Sequence, residues 1–311
     1  MILKKFVLIL FCLFIIAYVH AQSLYSEAYG DPQKPAVIFL HGGPGYNSAS
    51  FQISTAKRLA DCGFYVIVYD SRGCARSKDM GNNATYSFQE ADSDLLSVYK
   101  QYHIKKAMLL GHSFGGTISI KFCEQHPEMV QSLVLISAPV EFSLTFRSII
   151  AHATAAYEKK GDTADLKYLE MLAKMDTAKL EYATYSFMHA MNAGLYKPKS
   201  PDSSTIAIYK SMKNDQLFKY LNENDYAPVK GFYTTEKYTT LNLCNELKGL
   251  VKRGIKVYGI YGDEDGLFDE KQIDDIRSII GAAHFNYVHG SSHSVFIDKQ
   301  DEFLNILMKL R

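Results

Sequence analysis

The sequence carries no excess of charge of either sign: 34 lysines and arginines stand against 33 aspartates and glutamates in 311 residues. A surface without a single-sign field neither neutralises phosphates nor attracts anionic lipid, so nucleic acid is not expected as a partner. Cysteine is scarce too. The five are scattered without C-x-x-C spacing, H-E-x-x-H is absent, and no metal or cofactor is indicated. Internal repeats are lacking. Long apolar runs are lacking as well, with one exception at residues 6–19, which follows Met1-Ile2-Leu3-Lys4-Lys5 and runs into Val19-His20-Ala21. That run falls short of the roughly 20 apolar residues of a membrane span and ends on compact residues suited to signal peptidase. The pattern predicts a cleaved leader over residues 1–21, a mature chain from Gln22, a secreted or periplasmic destination and no stable membrane insertion afterwards. Cys12, behind bulky Phe11, does not suit lipid attachment. Cys62, Cys74, Cys123 and Cys244 remain; export permits a disulfide, but their scatter favours buried thiols.

What is present begins with β-rich apolar runs at 37–40, 65–69 and 107–110, each ending in a loop with Gly, His or Asp. Segments of helical period separate them, which is the pattern of a parallel sheet with crossover helices. Phe88, Ala91, Leu95, Val98 and Tyr102 mark one such helix. Further strands are expected at 132–138, 255–261 and 284–288, before a last helix with Phe296, Phe303, Leu304 and Leu307 inward. Between about 140 and 244 the strand pattern gives way to helical spacing, as in Leu166, Leu169, Leu172 and Met175. The predicted organisation is a core at 22–139 and 246–311 with a helical cap inserted at 140–245. Tyr182, Tyr185, Phe187, Tyr209, Phe218, Tyr220 and Phe232 make that cap aromatic.

The sharpest motif is Gly111-His112-Ser113-Phe114-Gly115-Gly116, set between a strand and a helix. A turn that presents a serine above a sheet edge crowds the positions two residues either side, so glycine there is a steric requirement. The serine then stands at a helix N-terminus, which favours developing negative charge. His41-Gly42-Gly43-Pro44-Gly45 follows the first strand, where a glycine-rich backbone can supply an oxyanion donor. Gly43 and Phe114 are the expected donors, with Gly42 as the variant for the first.

Together with Tyr69-Asp70-Ser71-Arg72-Gly73-Cys74-Ala75-Arg76-Ser77, these motifs resemble the proline iminopeptidase family of α/β-hydrolases over the sheet domain, though not over the cap. The resemblance implies an α/β-hydrolase fold: a mostly parallel sheet, flanking helices and an inserted cap. It also implies a serine nucleophile at Ser113 and a chain order of serine, acid, histidine. Four acids follow the strand at 255–261: Asp263, Glu264, Asp265 and Asp269. The family's Gly-x-x-Asp at this loop falls on Gly262 and Asp265, making Asp265 the expected acid ahead of Asp263 and Asp269. Gly290-Ser291-Ser292-His293-Ser294 precedes the last helix, and small neighbours leave His293 room to act as base, whereas His284 and His289 are read as packed residues of the strand or its edge. Asp70 and Arg72 are expected to pair and brace the loops behind the oxyanion site.

The family removes N-terminal proline or other small residues from peptides and holds the free amine with cap carboxylates. The implied substrate is a small peptide, with a small ester or lactone as the alternative and an inactive binding protein as a remote one. Candidate amine ligands are Glu141, Glu158, Glu170, Glu181, Glu223, Glu236, Asp215 and Asp225. The family's Trp-x-x-Trp-Glu segment has no counterpart, since the chain has no tryptophan and its nearest match is Tyr182-Ala183-Thr184-Tyr185-Ser186.

Overall fold

The computed structural model describes residues 23–311; the leader expected at 1–21 lies outside them. Seven strands form one sheet: β1 (Ser26–Tyr29), β2 (Ala36–Leu40), β3 (Tyr65–Tyr69), β4 (Ala107–His112), β5 (Val130–Ile136), β6 (Val257–Gly262) and β7 (Phe285–Val288). Their spatial order is β1-β3-β2-β4-β5-β6-β7. β1 lies antiparallel on β3 and the other pairs are parallel.

The central strands read as unbroken apolar runs because both faces are covered. Alternate side chains of β2, β3 and β4 divide between two cores. Val37, Phe39, Val66, Val68, Met108 and Leu110 face Phe51, Phe296 and Phe303. Ile38, Leu40, Ile67, Tyr69 and Leu109 face the other side, with Leu95, Val98 and Tyr99 of helix α1 (Phe88–Gln101) and Ile118 and Phe122 of helix α2 (Phe114–Gln125). β1 carries Ser-Glu-Ala-Tyr and is only half covered, so no apolar run announces it. β5 begins two residues earlier than expected, on Val130, because exposed Gln131 hides its start; it ends before Ser137, whose φ of 46° leaves the strand region.

Between β5 and β6 the described residues form helices α3 (Phe142–Lys160), α4 (Thr163–Leu172), α5 (Leu180–Ala193), α6 (Ser203–Met212), α7 (Tyr226–Glu236) and α8 (Cys244–Lys252), and no named strand. The two ends of this excursion run side by side: Phe142 N–H donates to Leu241 O at 3.0 Å and Leu243 N–H to Val140 O at 2.7 Å. Helix α9 (Glu270–Ile280) follows β6. The last segment is two helices, α10 (Val295–Asp298) and α11 (Gln300–Lys309), broken at Lys299; Phe296, Phe303, Leu304 and Leu307 are all buried. Cys62, Cys74, Cys123 and Cys244 are unpaired among the described residues, Cys74 and Cys123 buried.

Candidate active site

β4 stops at His112, and Ser113 takes φ 51° and ψ −124° before α2 begins. Its N–H donates to Ile136 O on β5 at 2.9 Å, which ties the turn to the neighbouring strand. The flanking glycines are needed for space: a Cβ on Gly111 would lie 2.6 Å from Gly116 Cα, and one on Gly115 would lie 2.1 Å from Leu40 O. A left-handed backbone at a non-glycine residue costs on the order of 1–3 kcal/mol and persists only where its surroundings impose it. Ser113 is partly exposed, and its Oγ is held by no hydrogen bond among the described residues.

The turns after β6 and β7 bring Asp265 and His293 together. Asp265 Oδ2 accepts from His293 Nδ1 at 2.9 Å, with the carboxylate fully shielded. Its other oxygen accepts from Leu267 N–H at 3.1 Å. A carboxylate on Nδ1 selects the tautomer that leaves Nε2 as an acceptor. His112, beside Ser113, donates through Nε2 to His293 O at 3.0 Å, and the two rings lie 4.9 Å apart. Burial holds the His112 imidazole well below its ordinary pKa, the neutral state that this bond suits. Tyr196, after α5, packs edge-on against the His293 ring at 4.9 Å. Neither His112 nor Tyr196 is legible from its sequence context.

The competing acids and histidines stand elsewhere. Asp263 pairs with His289 at the surface and accepts from Gly290 N–H at 2.8 Å. Asp269 caps α9, accepting from Gln272 N–H at 2.8 Å. Glu264 accepts from Lys199 N–H at 2.5 Å. His284 lies in the short turn before β7 rather than in the strand.

The loop after β2 passes over the serine. Gly43 has φ 139°, and Gly42, Gly43 and Phe114 N–H groups have no acceptor among the described residues. His41 braces the loop from beneath: it donates through Nδ1 to Gly42 O at 2.7 Å and accepts from Ser71 N–H at 2.9 Å. The expected Asp70–Arg72 pair does not form. Asp70 pairs with Arg76, Nε to Oδ2 at 2.6 Å and Nη2 to Oδ1 at 2.8 Å, while Arg72 reaches Asp94 and Glu90 on α1. The turn closed by Cys74 N–H on Ser71 O carries the chain back, so that Arg76 covers Asp70 and Arg72 points away. Burial alone pushes the Asp70 carboxyl up, but Arg76 outweighs it and holds the group below the ordinary carboxylate range. Asp70 also accepts from Ser48 N–H and Oγ, at 2.9 and 2.7 Å, which fixes the far end of the loop.

All but one of the candidate amine ligands are exposed or already engaged; the half-buried Glu223 carboxylate has no partner among the described residues. Glu158, Glu170, Glu181 and Asp215 are exposed. Glu141 accepts from Ser143 Oγ, Glu236 from Phe88 N–H at 2.6 Å, and Asp225 from Ala75 N–H at 2.9 Å and from Lys78. Glu223 is half-buried and offers its backbone carbonyl to Asn47. The cap's contribution near Ser113 is aromatic: Phe114 meets Phe232 at 5.1 Å, Tyr238 at 5.5 Å and Phe142 at 6.5 Å. A cavity beside this cluster is lined by Gly42, Pro44 and Gly45 of the loop after β2, by Phe114 and Gly115 of α2 and by Arg72, Glu90 and Asp94, while Ser113, Asp265 and His293 do not line it.

Residues 35–300 match the α/β-hydrolase fold family, and the chain belongs to it. Within that family it is proline-iminopeptidase-like. It is 24% identical to a proline iminopeptidase of Lactobacillus helveticus over 285 residues, covering 89% of this chain and 90% of the relative. Among solved structures it is similar to a proline iminopeptidase-related protein of Thermus thermophilus, with a TM-score of 0.66 and 20% identity over 92% of each chain. It is also similar to a carboxylesterase of Nitrososphaera gargenis, with a TM-score of 0.57 and 22% identity over 92% of this chain and 93% of the other.

Proposed function

We propose that the chain is an acyl-transfer hydrolase in which Ser113 is the nucleophile, His293 the base and Asp265 the group that orients the base. The observation that carries this reading is the shielded 2.9 Å contact between Asp265 and His293 Nδ1, beside a serine at φ 51°. His293 Nε2 takes the hydroxyl proton as Oγ attacks an acyl carbon, and Asp265 steadies the imidazolium. Gly43 and Phe114 N–H groups receive the developing oxyanion. His293 then protonates the leaving group and draws a proton from the water that cleaves the acyl-enzyme. The free Ser113 Oγ is consistent with a contact that tightens when substrate arrives.

For substrate, the leading reading is an aminopeptidase that releases N-terminal proline or another small residue from short peptides, supported by relatives that span nine-tenths of the chain. An esterase or lactonase on small uncharged acyl groups is the second reading. The aromatic surround of Phe114 and the engaged or exposed state of the candidate cap acids other than Glu223 favour it. Residues 1–21 are proposed to direct export and to be removed. Prolyl and alanyl amides, their N-acetylated forms and short-chain esters separate the two readings. An amine-binding carboxylate left unpaired costs about 2–5 kcal/mol, so acetylation should cost that much in kcat/KM. Equal turnover of both forms, or turnover of esters alone, rejects the aminopeptidase.

A further inference from the structure

Asp298 is almost completely buried, at 1% exposure, and takes no part in the proton transfers above. It closes the segment that carries His293. Its Oδ2 accepts from Ser292 N–H, next to His293, at 2.9 Å; its Oδ1 accepts from the Tyr209 hydroxyl at 2.9 Å; its backbone carbonyl accepts from Thr205 Oγ1 at 2.6 Å. Thr205 and Tyr209 stand four residues apart on α6, so one face of a cap helix makes both contacts. Ser292 Oγ donates to Leu195 O at 3.2 Å, the residue before Tyr196, whose ring lies on His293. The base is thus gripped by the cap at two points.

We propose that Asp298 is the positioning residue for His293: one carboxylate oxygen fixes the loop backbone, the other fixes the cap, and the reach of the imidazole to Ser113 depends on both. This rests on His293 being the base. The groups facing the carboxylate explain why it is responsive. Asp265 adds a second negative charge from the β6 turn, Tyr209 donates from α6, and His293 lies on its own loop. Lys299 is engaged with Asp202 of the cap at 2.7 Å. Burial therefore raises the Asp298 carboxyl to about 6. Above that pH both oxygens accept; below it one oxygen carries a proton, and the grip on Ser292 or on Tyr209 weakens. Positioning is present at neutral pH and is lost as pH falls through about 6.

The test is steady-state hydrolysis of p-nitrophenyl acetate from pH 5 to 9 by the mature chain, Asp298→Asn, Tyr209→Phe, the double variant and His293→Ala. Asp298→Asn should lower kcat about tenfold with KM little changed, because a displaced base mainly costs reactive geometry. Tyr209→Phe should lower kcat by a smaller factor, and the double variant should be no worse than Asp298→Asn, since both cut one linkage. The acid limb of kcat/KM should involve two protons in the parent and one in Asp298→Asn. Parent-like kcat and a two-proton limb in Asp298→Asn would overturn the proposal, as would parent-like kcat in Tyr209→Phe if Asp298→Asn fails to fold. An active His293→Ala removes the base assignment itself; an inactive His293→Ala with unaltered Asp298→Asn overturns the positioning role alone.

Discussion

Gly42 stands so close to Ser113 that a Cβ on it would lie 3.0 Å from the serine Cβ and 3.5 Å from its Oγ. The φ of Gly42 is not in the left-handed region, so alanine is permitted by the backbone and crowded only by Ser113 and by His112 Nδ1, 3.3 Å from the same Cβ. The serine and the histidine need give by only a few tenths of an ångström, so Gly42→Ala should fold normally and lose about tenfold in kcat, less than the roughly 100-fold of a 1 Å misplacement at the reacting centre. Circular dichroism with acyl-ester turnover checks it; near-parental turnover would mean that the loop does not set the serine.

The acids of the β6 loop divide by environment. Asp265→Asn should cost about 10⁴-fold in kcat, because an amide no longer enforces the Nδ1–H tautomer. Asp263 is joined to His289, whose side chain is 96% exposed, so Asp263→Asn should change kcat by no more than about threefold, the scale of a surface contact. The reverse order of effects would move the acid to Asp263.

Arg76 and Asp70 form the buried pair beneath the loop after β2, with side chains 7% and 0% exposed. Arg76→Ala leaves a buried carboxylate without its cation and should cost about 3–5 kcal/mol in denaturant unfolding at pH 7. Asp70 is held below its ordinary pKa, so the stability it contributes is present above the unfolded carboxylate range and is lost as pH falls through the lower, folded value. The gap between parent and variant should therefore narrow in acid. A constant gap from pH 7 down to pH 3 would show that the guanidinium acts by packing alone.

Five of the seven strands are legible because their apolar runs must be buried on both faces; β7, Phe-Asn-Tyr-Val at the other edge with only Val288 buried, is legible from its β-rich residues, and β1 is not, since Ser-Glu-Ala-Tyr at a half-covered edge has no such run. The serine turn is legible because glycine at 111 and 115 answers a local steric demand. Partners chosen by the path of the chain are not. Arg72 and Arg76 both lie near Asp70 in sequence, and only the turn at Ser71–Cys74 decides which covers it. The same holds for His41, His112, Tyr196 and Asp298, which reach the site through contacts made across the sheet, from the cap or from α10. The cap acids are readable as acids, but their engagement with Phe88 N–H and Ala75 N–H depends on how the cap sits.

The central claim is that Ser113 carries the acyl group, and covalent labelling tests it most directly. The protein is treated with a fluorophosphonate, and the adduct is located by intact mass and peptide mapping. A phosphonyl group replaces the hydroxyl proton as fluoride leaves, so the account predicts one adduct, on Ser113, absent in Ser113→Ala and much slowed in His293→Ala. An unlabelled parent chain, or an adduct on another residue that persists in Ser113→Ala, would contradict it.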